Sequence, residues 1–338
     1  MERRTFIIGS VAGGIGLIEY AAVNGWMNKL TDPRSFSVKD YEKYGAQAAV
    51  VAITPNEDFY VTSKGDTPRV DAAKWQLKVD GLVAKPFTLS YAELLRLPSI
   101  EKLLTLECIS NPIGGNYLGN AQWTGTALKP VIERAQPLPN AAHVVFHAAD
   151  GFTTGHPIER VWNEENFLAY KMNGEDLPPV HGYPARVFIP GKFGMKQPKW
   201  LTRIQFVNKA YLGYWESQSW SDECERWAHA RFTDLRDGAK ISGKNFKLTG
   251  YALGNLDGIK SVEISVDNGK TWEPASIFSN PSPLTWVFWK YIWINPEPGK
   301  YKLRVRATDG NGRVEGWDPR DIFPDGATGQ QAMKVTVA

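Results

Sequence analysis

Thr105-Leu106-Glu107-Cys108-Ile109-Ser110-Asn111 is the stretch on which the reading of this chain turns. Residues 103–108 are mostly apolar and predict a strand, and the Gly/Asn-rich segment after it, with Gly114, Gly115 and Gly119, predicts a loop. Such a strand delivers a thiol to its C-terminal end. Two readings stand at Cys108. It is a small buried hydrophobe, or it is a soft thiolate ligand that a metal keeps deprotonated. On the second reading the glycines let backbone approach a bulky cofactor closely.

Upstream, Trp75-Gln76-Leu77-Lys78-Val79-Asp80-Gly81 alternates apolar and polar residues as a half-buried strand does. Phe87-Thr88-Leu89 predicts a second strand. Ser90 then caps a helix over 91–96, with Glu93 at the capping-box position and Pro98 as the stop. Downstream, 128–134 reads as helix, 142–147 as strand, 159–169 as mixed and 186–190 as a buried strand. Helices and strands mix without regular βαβ alternation, so this region is expected to be α+β.

The character changes after Phe232. From about Ile241 the strands shorten and helix signals vanish. Phe246-Lys247-Leu248-Thr249-Gly250 and Val262-Glu263-Ile264-Ser265-Val266 alternate, and the second runs into Asp267-Asn268-Gly269-Lys270, a strong hairpin signal. Further strands are expected over 285–294, 301–307 and 334–337. Such spacing over about 100 residues suits an immunoglobulin-like sandwich. The expected organisation is a leader over 1–28, a catalytic domain over 29–238 and a sandwich over 239–338.

The 338 residues suit two domains, and a net charge of +3 does not point to nucleic acid. Thirteen tryptophans are expected in cores or lining a pocket. The two cysteines, Cys108 and Cys224, exclude a disulfide-dense fold and match no zinc spacing. Cys224 reads as buried packing, with a Cys108–Cys224 bridge as the alternative. Near the start, Arg3-Arg4-Thr5-Phe6 precedes an uncharged apolar run over 5–18, shorter than the roughly 20 residues of a membrane span. It resembles a twin-arginine export signal, cleaved or kept as a membrane anchor. An ordinary buried N-terminal helix is the other reading.

Two more segments could carry chemistry. His181-Gly182-Tyr183-Pro184-Ala185-Arg186 and Lys192-Phe193-Gly194-Met195-Lys196-Gln197-Pro198-Lys199-Trp200 place His, Arg and Lys on loops around one strand. That is a basic pocket for a phosphate or a solvated basic surface. Ala149-Asp150-Gly151 reads as a turn.

Taken with Gly119-Asn120-Ala121-Gln122-Trp123-Thr124-Gly125, Leu168-Ala169-Tyr170-Lys171-Met172-Asn173-Gly174 and Lys199-Trp200-Leu201, these segments resemble the sulfite-oxidase family in order and spacing. The resemblance implies a molybdenum-molybdopterin cofactor, with Cys108 as metal ligand and His181 and Arg186 at the pterin phosphate. It also implies a Gln197-Pro198-Lys199 binding segment, an acidic pterin contact at Asp150, and a loop bearing Phe59, Tyr60 and Thr62 over the cofactor. The sandwich would serve dimerisation, giving a homodimer. Departures accompany the match. Thr62 stands where animal and plant sulfite oxidases hold their anion with an arginine, and Ile113 falls near a second such position. Trp220 falls at the expected active-site tyrosine, with Tyr211 and Tyr214 close by; Trp220 and Tyr211 are the catalytic candidates there. A compact dianion needs paired cations to leave water. Lys64 or Lys192 could substitute, without the fixed fork of Arg. The expected substrate is therefore a less charged oxo-compound such as an S-oxide, or a differently held anion. With no haem or iron–sulfur motif in the sequence, electrons would pass through a separate partner such as a cytochrome. An exported binding or adhesion protein using the sandwich and its aromatics is the competing reading.

Overall fold

The computed structural model describes residues 7–10 and 50–338. The twin-arginine pair and the rest of the expected leader lie outside the described residues, apart from β1 (Ile7–Ser10), which pairs antiparallel with β2 (Val50–Ile53). No helix among the described residues is long and apolar enough to cross a membrane.

The two strands expected there, β3 (Gln76–Gly81) and β4 (Phe87–Ser90), pair antiparallel. Ser90 starts α1 (Tyr91–Leu94) with both halves of a capping box, its hydroxyl taking the Glu93 amide and the Glu93 carboxylate taking the Ser90 amide. There follow β5 (Ile100–Glu107), β6 (Leu118–Ala127) and α2 (Leu128–Arg134). Left-handed Gln136 (φ 52°) and Pro137 stop that helix. β7 (His143–Ala148), β8 (Thr153–Pro157), α3 (Ile158–Val161), β9 (Phe167–Met172), β10 (Glu175–Asp176), β11 (Arg186–Phe188) and β12 (Leu201–Val207) complete this part. The helices are single turns or little more, so the structure is mostly β and the α+β expectation overstated the helical share.

Two sheets build the region around Cys108. One runs β4-β3-β12-β7-β8, with β12 parallel to β3; the other runs β10-β9-β6-β5, with β11 on β9. Leu77, Val79, Val144, Phe146, Ile204 and Phe206 of the first sheet pack with Leu128, Val131 and Ile132 of α2 in one core. Trp123, Leu104, Phe167, Ala169 and Phe188 pack with Phe59 in another. β6 is the central strand that sequence reading missed. Its glycines break the apolar alternation because other backbone lies against them: a Cβ on Gly125 would sit 2.0 Å from the Leu168 carbonyl oxygen, where the β6–β9 register shifts.

After a 3₁₀ turn over Glu216–Gln218 the remaining elements are all strands: β13 (His229–Phe232), β14 (Ala239–Ile241), β15 (Asn245–Leu253), β16 (Ile259–Ser265), β17 (Glu273–Pro274), β18 (Ser276–Ser279), β19 (Val287–Ile294), β20 (Gly299–Asp309) and β21 (Gln331–Val337). They form sheets β13-β15-β19-β18 and β14-β21-β20-β16-β17. Leu248, Val287 and Trp289 of the first share a core with Val262, Ile264, Leu303 and Val305 of the second. The connection from β16 to β17 turns through two successive left-handed residues, Asn268 (φ 62°) and Gly269 (φ 87°).

The two halves meet at β5. This strand is the edge of its sheet, and Thr105 lies against later chain. Its amide donates to the Leu284 carbonyl at 3.0 Å, its hydroxyl takes the Trp286 amide at 2.9 Å, and its carbonyl takes Arg226 Nη1 at 3.0 Å.

Candidate active site

Cys108 follows β5 directly. Its amide donates to the Tyr117 carbonyl, and its carbonyl takes the Asn111 amide, which makes a tight turn. Asn111 fastens the loop from both ends: Nδ2 donates to Glu107 Oε1 at 2.9 Å, and Oδ1 takes the Tyr117 amide at 2.9 Å. The loop glycines are needed for close packing. A Cβ on Gly115 would lie 2.5 Å from Asn111 Oδ1, one on Gly119 2.7 Å from the Phe59 ring, and one on Gly114 2.6 Å from Gln331 Nε2. Cys108 and Cys224 are both free and buried, so no bridge forms. The Cys108 sulfur lies 3.0 Å from Ser110 Oγ and faces a cavity of about 320 Å³.

The basic segment closes on the same cavity. The turn Pro179–His181 ends at Gly182 (φ 118°), where a Cβ would meet the Arg186 and Lys199 Cβ atoms at 3.1 and 3.2 Å. Glycine there lets two cations approach each other. Arg186 is 3% exposed, and no carboxylate pairs with it among the described residues. Nη1 donates to the His181 carbonyl at 3.0 Å and Nη2 to the Gln197 carbonyl at 3.2 Å, while Nε is buried without an acceptor among the described residues. The guanidinium lies 4.6 Å from the Phe188 ring centroid and 5.4 Å from that of Trp123. Burial pushes its pKa down to about 10.

Lys199 Nζ donates to the Val180 carbonyl, Ser63 Oγ and the Thr62 carbonyl at 2.9–3.1 Å, all neutral acceptors. Burial, reinforced by Arg186, pushes its pKa down to about 7. His181 is not part of the cationic set. Burial first, then Arg186 and Lys199, push it down to about 4, so its ring is neutral at pH 7. Nε2 lies 2.9 Å from the Asn56 carbonyl; that oxygen only accepts, which assigns the proton to Nε2 and leaves Nδ1 as an acceptor. The sequence had grouped all three as a basic pocket.

Phe59, Tyr60, Thr62, Cys108, Asp150, His181, Arg186, Gln197, Pro198, Lys199 and Trp220 all line this cavity. Several also do local work. Asp150 takes the Phe152 amide at 2.9 Å, the turn role expected of it. The Gln197 side chain is spent on backbone, taking the Ile189 amide and donating to the Lys192 carbonyl, which leaves it little for a ligand. Tyr60 is a phenol held well above its ordinary pKa by burial and then by Cys108, so it stays protonated. Tyr211 does not line the cavity: its hydroxyl is 3.0 Å from Thr153 Oγ1, and Gly155 lets its backbone lie against β8. Lys192 is likewise elsewhere, donating to the Glu223 carbonyl at 2.7 Å, whereas Lys64 does line the cavity. Sequence reading missed Trp215, Phe152 and Met195, which give the cavity an apolar side; the abundance of tryptophan was the one signal for them.

The residues fit a metal held by one thiolate with a bulky anionic ligand beside it. Among the described residues no three His, Cys, Asp or Glu side chains gather around a metal position, so a metal at Cys108 would draw its other ligands from a cofactor. Arg186 carries a buried charge, and its free Nε is a donor awaiting an acceptor. A cysteine sulfur, two basic side chains and a cavity together define a metal-cofactor oxidoreductase site.

The comparisons make the class specific. The oxidoreductase molybdopterin-binding domain matches residues 64–215. The chain is 34% identical over 186 residues to the uncharacterized oxidoreductase YuiH of Bacillus subtilis, covering 54% of this chain and 92% of that protein. It is 29% identical over 321 residues to sulfite oxidase of Gallus gallus, covering 80% and 69%. It is 30% identical over 311 residues to a nitrate reductase [NADPH] of Emericella nidulans, of which it spans 35%. In fold it is similar to the sulfane dehydrogenase SoxCD of Paracoccus pantotrophus, with a TM-score of 0.72 at 22% identity, covering 84% of this chain and 81% of that one. The chain belongs to the sulfite-oxidase family of molybdopterin oxidoreductases, and its cofactor is Mo-molybdopterin. The adhesion reading is set aside.

Proposed function

We propose that this chain is an exported enzyme that moves one oxygen atom to or from a small oxo-substrate, sulfite-like or an S-oxide, and exchanges electrons with a separate partner such as a cytochrome. When bound, the molybdenum centre supplies a two-electron couple at which oxygen is gained or lost. The observation that carries the reading is Arg186: a buried cation with an unused donor, in one cavity with the Cys108 sulfur.

Each residue then has a role. Cys108 supplies the thiolate, and the Ser110 hydroxyl donates to its sulfur, which damps the sulfur's electron donation. Arg186 and Lys199 hold the phosphate end, and their two charges match a phosphate dianion. His181 offers Nδ1 as an acceptor. Phe59 and Tyr60, whose rings stack at 5.5 Å, line the cavity and would pack against the bound group. Trp215, Trp220, Phe152 and Met195 keep water from the reacting atoms. S-oxide reduction would consume two electrons and two protons and release thioether and water; sulfite oxidation would take water and return two electrons and two protons with sulfate.

The all-β part from about residue 239 is read as an immunoglobulin-like sandwich that supports a homodimer, with residues 29–238 as the catalytic domain. The segment 1–28 is read as a twin-arginine leader or anchor, placing the protein in the periplasm or on the outer face of the cytoplasmic membrane. Metal analysis of the native protein beside Cys108→Ala tests the core of the proposal. About one molybdenum per chain, with redox activity lost in the variant, supports it. No molybdenum, in protein from cells able to build the cofactor, would sink it. Steady-state oxidation of sulfite with a micromolar KM would overturn the preference for a less charged substrate.

A further inference from the structure

A second charge network lies behind the cavity's apolar side. Lys196 is 1% exposed, yet it is doubly paired with carboxylates. Nζ donates to Glu216 Oε1 at 2.7 Å and to Asp222 Oδ1 at 2.9 Å. The Thr154 hydroxyl donates to the same Glu216 oxygen, and Glu216 Oε2 is buried without a partner among the described residues. His156 Nε2 donates to the Lys196 carbonyl at 2.9 Å, and burial holds that imidazole neutral. None of these side chains lines the cavity.

What the network joins is informative. Lys196 sits between Met195 and Gln197, both cavity residues. Its two carboxylate partners come from one segment, 211–224, and that segment carries Trp215 and Trp220 into the cavity. The two indoles pack against the cluster of Ile109, Phe193, Met195 and Cys224, a cluster that includes the residue following Cys108. A buried ion pair adds little net stability; its attested use is to fix one arrangement among several.

We propose that Lys196 is a positioning residue: its buried pairs fix Trp215 and Trp220 as a wall, and that wall selects an oxo-substrate bearing an apolar substituent. The proposal rests on the oxygen-transfer reading above and names the substrate class for that site. A compact inorganic oxyanion gains nothing from two indole faces, whereas an aryl or alkyl arm on an S-oxide buries against them.

The test uses the molybdenum-loaded full chain and two variants. Lys196→Met with Glu216→Gln removes the network without stranding a charge; Asp222→Asn removes its half-exposed arm and keeps the buried pair. Methyl phenyl sulfoxide and dimethyl sulfoxide serve as probes, with reduced methyl viologen as electron donor. Hydrogen exchange of peptides from 211–224 is read without substrate. The expected result is unchanged molybdenum, exchange in 211–224 faster by about tenfold in the double variant, and KM for methyl phenyl sulfoxide raised about tenfold. Its kcat, and the KM for dimethyl sulfoxide, shift far less. Asp222→Asn shows the same pattern at smaller size and decides the matter if the double variant does not fold. Unchanged exchange, or equal KM shifts for both sulfoxides, would overturn the proposal. If the loaded wild type reduces neither sulfoxide, the substrate half of the proposal falls, while the exchange data still judge the clamp.

Discussion

Replacing Arg186 by Met should separate folding from cofactor binding, with opposite signs. In the cofactor-free protein, Arg186 is a buried cation whose pKa is pushed from 12.5 down to about 10. That shift corresponds to about 3 kcal/mol of unfavourable charge burial. Against it stand two hydrogen bonds, to the His181 and Gln197 carbonyls, worth about 1 kcal/mol each. Met relieves the first and forfeits the second, so cofactor-free Arg186→Met should match the wild type or exceed it by about 1 kcal/mol. Loading is another matter. Leaving an anion unpaired in such a site costs about 3–5 kcal/mol, a loss of roughly two to four orders of magnitude in affinity. Urea unfolding of protein from cells unable to make molybdopterin gives the first quantity; molybdenum content from cells that make it gives the second. A cofactor-free variant destabilised by about 3 kcal/mol or more that still loads fully would refute the reasoning and make Arg186 a structural strut.

Three further outcomes follow from the same geometry. Lys199 loses its proton near pH 7 in the cofactor-free protein, so the affinity of cofactor-free protein for sulfate should be flat below that pH and fall about tenfold per unit above it; isothermal titration should show the slope vanish in Lys199→Met. His156, His181 and His229 are held neutral with pKa values pushed down to about 3, 4 and 4. Their folded pKa values lie below the unfolded ones, so they cost nothing above about pH 6.5, and stability falls as pH drops towards 4, by up to about 4 kcal/mol per unit from these three. Urea midpoints between pH 7 and 5 check this, and His156→Asn should flatten the slope by about a third. Gly182→Ala places a Cβ at φ 118° against Arg186 and Lys199, which should cost about 1–3 kcal/mol in unfolding and lower molybdenum content with it.

Much of the site could be read from the chain because it is local. Cys108 ends a strand, and Gln197-Pro198-Lys199 leads into one; the resemblance to a family singled them out, and all four line one cavity. What could not be read is what depends on the third dimension. The neutrality of His181 comes from burial and two nearby cations, and no local pattern announces that. Tyr211 is two residues after Lys209 in an irregular stretch, and only the packing on Gly155 decides that it faces β8 instead of the cavity. β6 escaped because Gly119 and Gly125 answer to Phe59 and to the Leu168 carbonyl, partners distant in sequence.

The edge of β5 has one more implication, for the order in which the protein is made. When a ribosome has released residues 1–200, the strand that presents Cys108 can already pair with β6, but the Thr105 amide and carbonyl are open to solvent. Their partners, Leu284 and Arg226, have yet to be synthesised. An exposed strand edge invites wrong pairing. The ligand strand is closed only when the later chain folds back on it, so maturation of the metal site belongs to the finished polypeptide, and a stalled or truncated product carries the cysteine on an unprotected edge.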